Sequence, residues 1–137
     1  MGLVSGDVGR RSVRDRASLA VAGLFFASGV LHLVRPEAFD QFLPDSVPAP
    51  RAVNAAAGVV EIACAYGLLS GRRWGGLASA ATLFAVWPSN LAYAVRATRE
   101  RGTTSPKAIV AWARMPLQIP MLWAVLGPDE DRGRERP

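Results

Sequence analysis

Apolar residues in this chain fall into long blocks, without the two-residue alternation of a strand or the single apolar stripe of a surface helix. Four blocks stand out: 18–34 (SLAVAGLFFASGVLHLV), 52–69 (AVNAAAGVVEIACAYGLL), 74–95 (WGGLASAATLFAVWPSNLAYAV) and 108–126 (AIVAWARMPLQIPMLWAVL). A membrane-crossing helix needs about 20 predominantly apolar residues, with a range of roughly 17–25. Every backbone polar group in a bilayer must be bonded within the protein, so blocks of this length are predicted to be helices. They lack the dyad pattern of a membrane β-barrel. A soluble bundle would need a polar face on each helix, and 19–31 and 53–69 hardly offer one. The pattern predicts an all-α, integral membrane four-helix bundle. It divides the chain into a basic cytoplasmic segment (1–17), a four-span membrane domain (18–126) and a charged, disordered tail (127–137).

The connections set orientation. Ser70-Gly71-Arg72-Arg73 is short enough to make the second and third spans an antiparallel hairpin. The first connection, 35–51, holds Pro36, Pro44, Pro48 and Pro50 together with Phe39, Phe42, Leu43 and Val47, which predicts a short amphipathic element at the membrane surface. The first block, preceded by Arg10, Arg11, Arg14 and Arg16, is long for a signal-peptide core and is followed by His-Leu-Val-Arg-Pro instead of a small-x-small cleavage site, so it is read as an uncleaved span. Basic residues favour the cytoplasmic side. With the N-terminus inside, nine lie inside (Arg10, Arg11, Arg14, Arg16, Arg72, Arg73, Arg132, Arg134, Arg136) and six outside (Arg35, Arg51, Arg96, Arg99, Arg101, Lys107). This places both termini in the cytoplasm and the 35–51 loop outside a plasma or inner membrane.

Composition narrows the chemistry. The chain has 137 residues, is 50% apolar and 20% charged, and carries a net charge of +5. Its basic residues neither form a stripe nor alternate with aromatics, which argues against nucleic acid as a partner. Cys64 is the only cysteine and His32 the only histidine. One chain therefore supplies no disulfide, no dithiol, no multi-His metal site and no bis-His haem ligation, and no metal is expected.

Ionisable groups inside a span are costly and turn toward the protein interior. His32, Glu61 and Arg114 are the candidates, joined by the uncharged Asn54, Asn90 and Gln118. At about 1.5 Å of rise per residue, His32 lies roughly 3 Å from the outer end of its span, Asn90 about 8 Å, Arg114 about 9 Å and Glu61 about 14 Å. Arg114 is long enough to reach toward Glu61, so an ion pair between them is expected. Such a pair reads either as a latch that docks the second span on the fourth or as one wall of an outward polar pocket. Pro88, Pro116 and Pro120 interrupt spans three and four and free carbonyls there. Small residues (Gly23, Ala27, Gly58, Gly75, Gly76, Ser79, Ala80) permit close helix contact. Trp74 and Trp123 are placed as interfacial anchors.

Several of these residues recur in a recognisable order. Gly29-x-x-His32 with Pro36, Phe39 and Leu43-Pro44-x-x-Val47-Pro48, then Gly58-x-x-Glu61, then Trp87-Pro88-Ser89-Asn90, then Arg114-x-Pro116-x-Gln118 resemble the DoxX-like family of small membrane proteins over residues 24–123. Trp87 stands where that family usually has Phe, and Ser89 where it has Ala. The resemblance implies a bacterial four-span fold with His32, Glu61, Asn90, Arg114 and Gln118 as characteristic polar positions. It also implies association with membrane redox complexes, quinone- or thiol-linked. With one cysteine, dithiol exchange does not fit. The cofactor is left open, with quinone one candidate for an outward pocket of His32, Glu61, Asn90, Arg114 and Gln118 in which Trp87 and Trp112 would stack on its ring. Any enzyme activity would be that of an oxidoreductase-associated subunit. The expected partners are the lipid bilayer and either redox-complex proteins or further copies of the chain. A non-catalytic structural or assembly subunit and a small oligomeric transporter remain as alternatives.

Overall fold

A computed structural model describes residues 2–127, and no strand occurs among them. Four long helices carry the chain: α1 (Gly2–Val34), α2 (Pro50–Leu69), α3 (Arg73–Arg101) and α4 (Pro106–Val125). The all-helical expectation is borne out. The first connection, expected as an amphipathic element, contains two 3₁₀ turns, Pro36–Ala38 and Asp40–Phe42. The tail beyond residue 127, with Arg132, Arg134 and Arg136, lies outside the described residues.

Local chemistry explains where the helices begin and end. α1 starts at Gly2 instead of at residue 18, because nothing before Pro36 breaks a helix. α3 runs past the expected end at 95 through Arg-, Ala- and Glu-containing sequence and stops at Gly102, whose φ of 84° is a left-handed conformation. Pro50 and Pro106 occupy the first helical positions of α2 and α4, where their missing N–H is no loss. The Ser105 hydroxyl accepts from the Ala108 N–H at 3.3 Å and caps α4.

Three helical segments are long and apolar enough to cross a membrane: Val13–Val34, Pro50–Leu69 and Pro106–Val125. No more than about a third of each is buried within the protein, and large apolar side chains such as Leu24, Phe26, Val59, Ile109 and Ile119 are exposed. This is a membrane protein. The third expected span differs. α3 is long enough, but Gly, Ser, Thr, Trp, Pro and Asn dilute it below the composition of a spanning helix. Its glycines and Ser79 are not scattered around it. Gly75, Gly76 and Ser79 are buried, while Leu77, Phe84, Trp87 and Leu91 face outward.

Consecutive helices pack on each other and α1 closes on α4, so the four form a ring in chain order with α2 and α4 on one diagonal. The α1–α2 and α2–α3 contacts depend on missing Cβ atoms. A Cβ on Gly58 would lie 2.7 Å from the Gly29 carbonyl oxygen, and one on Gly67 would lie 2.7 Å from the Gly75 Cα. Gly23, by contrast, faces open space. The apolar core (Val21, Phe25, Cys64, Ala65, Ala80, Leu83, Ala124, Val125) fills the half of the ring near the 70–72 turn. Cys64 belongs to it, with its Sγ 3.5 Å from the Thr82 Oγ1. At that end the Arg14 Nε and Nη2 donate to the Trp123 carbonyl at 3.1 and 2.9 Å, and the guanidinium lies 4.8 Å from the centre of the Trp123 ring. A cation thereby satisfies an orphan carbonyl at the negative end of α4.

Candidate functional site

The other half of the ring holds the polar groups. His32 on α1 and Glu61 on α2 are both buried, with the His32 Nε2 3.8 Å from a Glu61 carboxylate oxygen. Each lies one turn from a contact glycine, Gly29 or Gly58, and these glycines bring the two backbones together. Side chains lean toward the N-terminus of their own helix. In an antiparallel pair such as α1 and α2 they therefore lean toward each other, and His32 and Glu61 close the remaining distance. The Ser28 side chain, one turn before His32, faces the Glu61 carboxyl.

The far side of each group is unanswered. His32 Nδ1 and Glu61 Oε2 are buried and have no hydrogen-bond partner. Most buried polar atoms in proteins are paired, so two orphans on one facing pair call for a reason.

The first connection closes the site from the loop side. The Phe39 ring stacks on the His32 imidazole at 3.6 Å between centroids with 22° between planes. Phe42 packs on Tyr93 at 4.5 Å. Two side chains tie the loop down: Asn54 Nδ2 donates to Asp40 Oδ1 at 2.8 Å and to the Pro36 carbonyl at 3.3 Å, and Arg96 donates to the Leu43 carbonyl at 3.5 Å and to that of Gln41.

Arg114 does not pair with Glu61 as expected. It is exposed on α4, its guanidinium lies 5.2 Å from the centre of the Phe42 ring, and it reaches Glu61 only as a charge at longer range. The reason is the ring. α2 and α4 face each other across a diagonal, whereas α1 lies beside α2 and supplies His32. The Arg114 side chain instead runs toward the start of its helix, where the loop offers an aromatic face.

The remaining expected residues are dispersed. Gln118 is buried on α4 and Asn90 half-buried on α3, and no hydrogen bond joins either to the His32–Glu61 pair. Trp87 (48% exposed) and Trp112 (45%) lie on the outer face, so neither forms a wall of an internal pocket with His32. Trp112 Nε1 donates to the Thr98 hydroxyl at 2.9 Å and ties α4 to α3. Sequence reasoning passed over Ser28 and the role of Phe39 as a cover. Ser28 was readable from its place four residues before His32, on the same helical face. Phe39 was not, because its position depends on how the loop folds back. Among the described residues no three His, Cys, Asp or Glu side chains come together as a metal site would require.

A family described as a domain of unknown function, DUF8561, matches residues 21–127. The chain belongs to that family. The matched stretch holds His32, Glu61, Gly29, Gly58 and Phe39, so the pair, its glycine crossing and its cover all lie within the family domain. No curated protein and no solved structure matches the chain.

Proposed function

We propose that this protein is a four-span, DoxX-like subunit of a membrane redox complex, with the His32–Glu61 pair receiving the hydrogen-bonding head of a quinone. The observation that carries this reading is the pair of orphaned atoms, His32 Nδ1 and Glu61 Oε2, buried on the polar half of a membrane protein. A quinol hydroxyl or quinone carbonyl answers such atoms as a hydrocarbon tail cannot. Phe39, stacked on the imidazole, occupies the place a planar ring would take, so a ligand enters by displacing it. Trp87 and Trp112 are left out of this site.

The four-span reading rests on α3 being polar inside and apolar outside, the distribution of a helix whose surroundings are lipid. In that arrangement the loop faces outward and the Arg14 end faces the cytoplasm, in keeping with the excess of basic residues there.

The test is extraction. Full-length protein purified in mild detergent is expected to carry quinone, or to take it up when supplied, and Glu61→Leu and His32→Leu are each expected to lower the bound amount at least about tenfold, which is about 1.4 kcal/mol. A folded parent protein that neither carries nor takes up quinone overturns the reading.

A structural subunit is the second reading, favoured by the location of the pair directly beside the Gly29–Gly58 crossing, where it also serves as a latch. A double-mutant cycle separates the two. A latch predicts a His32–Glu61 coupling of about 0.5–3 kcal/mol in ligand-free protein, and no effect of either change on a bound molecule.

A further inference from the structure

The loop-side ends of α3 and α4 and the first connection line an open cavity of about 340 Å³, away from the His32–Glu61 pair. That is the lower end of the range for small-ligand sites, roughly 300–1,000 Å³. Tyr93 forms part of its wall, and Arg96 shapes it while committed to the loop carbonyls of Gln41 and Leu43. The rest of the lining carries both signs. Asp45 and Glu100 face the same space as Arg101 and Lys107, and among the described residues no side-chain hydrogen bond or ion pair engages any of these four, while Asp40, also in the lining, accepts from Asn54. A groove of about 610 Å³ runs beside it over Ala92 and Val95, with Arg99 also in its lining, and it shares Arg96 and Glu100 with the cavity.

We propose that this cavity binds the zwitterionic headgroup of a phospholipid, with the phosphate at Arg101 and Lys107 and the ammonium at Asp45 and Glu100. A ligand of a single sign would face two like charges wherever it sat, which is costly. A zwitterion meets each sign with its opposite. Guanidinium and ammonium groups together suit a phosphate. The adjoining groove decides between a lipid and a soluble zwitterion, because Ala92 and Val95 in it give an acyl chain apolar contact along α3 beside the cavity. The height fits as well: the cavity lies at the far ends of α3 and α4, where the apolar blocks give way to charge.

The experiment uses full-length, delipidated protein in detergent and measures binding of phosphatidylethanolamine and phosphatidylglycerol by native mass spectrometry. Phosphatidylethanolamine is expected to bind at least about fivefold more tightly. Changing Asp45→Asn with Glu100→Gln brings the ratio to within about twofold, and changing Arg101→Gln with Lys107→Gln weakens the binding of both lipids at least about fivefold. Arg72→Gln, at the opposite end of the protein, leaves the preference intact. Free phosphoethanolamine competes at least about tenfold more weakly than the lipid, and equal competition overturns the assignment to lipid. Equal or tighter binding of phosphatidylglycerol, a preference that survives the change at Asp45 and Glu100, or lipid binding that is unaffected by the change at Arg101 and Lys107, overturns the site. None of these outcomes depends on quinone binding at His32 and Glu61.

Discussion

Two glycine substitutions with opposite expected signs test the α1–α2 crossing. In Gly58→Ala the new Cβ would lie 2.7 Å from the Gly29 carbonyl oxygen and 2.9 Å from the His32 Cβ. Both are main-chain atoms or fixed directly to the main chain, so neither swings aside and the helices must part. Overpacking of this kind costs about 1–3 kcal/mol. Two contacts under 3 Å to fixed atoms put the cost in the upper half of that range, and alanine returns about 1 kcal/mol through its better helix propensity, which leaves a net loss of about 1–2 kcal/mol. Gly23→Ala lies on α1, the other helix of the crossing, with nothing within 4 Å of the new atom. Only the propensity gain remains there, and stability should rise by up to about 1 kcal/mol. Thermal melts of both variants in one detergent, followed by near-ultraviolet circular dichroism, read the difference. For a chain of this size 1 kcal/mol moves the midpoint by roughly 2–6 °C. Gly58→Ala also parts His32 from Glu61, whose 3.8 Å separation leaves little to spare. A Gly58→Ala variant as stable as the parent, or a shift of the same sign in both, refutes the close crossing and the explanation it gives for the pair.

Arg14→Leu removes two hydrogen bonds to the Trp123 carbonyl and the contact with its ring, and is expected to cost about 1–2 kcal/mol and to shift Trp123 emission; Arg14→Lys, with a single ammonium, recovers only part of the stability. Asn54→Ala takes both donors from the Pro36 carbonyl and Asp40, with a cost of about 1–3 kcal/mol, and hydrogen exchange at 36–43 should quicken far more than exchange in α3. Unchanged exchange there would mean that Asn54 does not hold the loop over His32.

Much of the architecture was legible in composition and spacing. Blocks of about 20 apolar residues leave a backbone no way to bond itself in lipid except as a helix, so the helical class and the lipid-facing surface follow from the sequence alone. Helix starts at Pro50 and Pro106 and the stop at Gly102 rest on local backbone chemistry and are likewise local facts. The polar residues His32, Glu61 and Gln118 were also legible as interior groups, because exposing them to hydrocarbon is costly. Partnership was not. Depth along a span follows from counting residues, but which helices are neighbours depends on how the ring closes. A one-dimensional estimate therefore set Glu61 against Arg114 at similar depth, while the ring placed Arg114 across a diagonal and His32 alongside. The same limit hid the loop. Only its fold-back onto α2 and α3, held by Asn54 and Arg96, stacks Phe39 on His32 and turns scattered charges near 45 and 100–107 into one cavity. Helix formation is a property of consecutive residues, but a site is made by residues distant in the chain, and their meeting is decided by close backbone approach at glycines and by the closure of the ring.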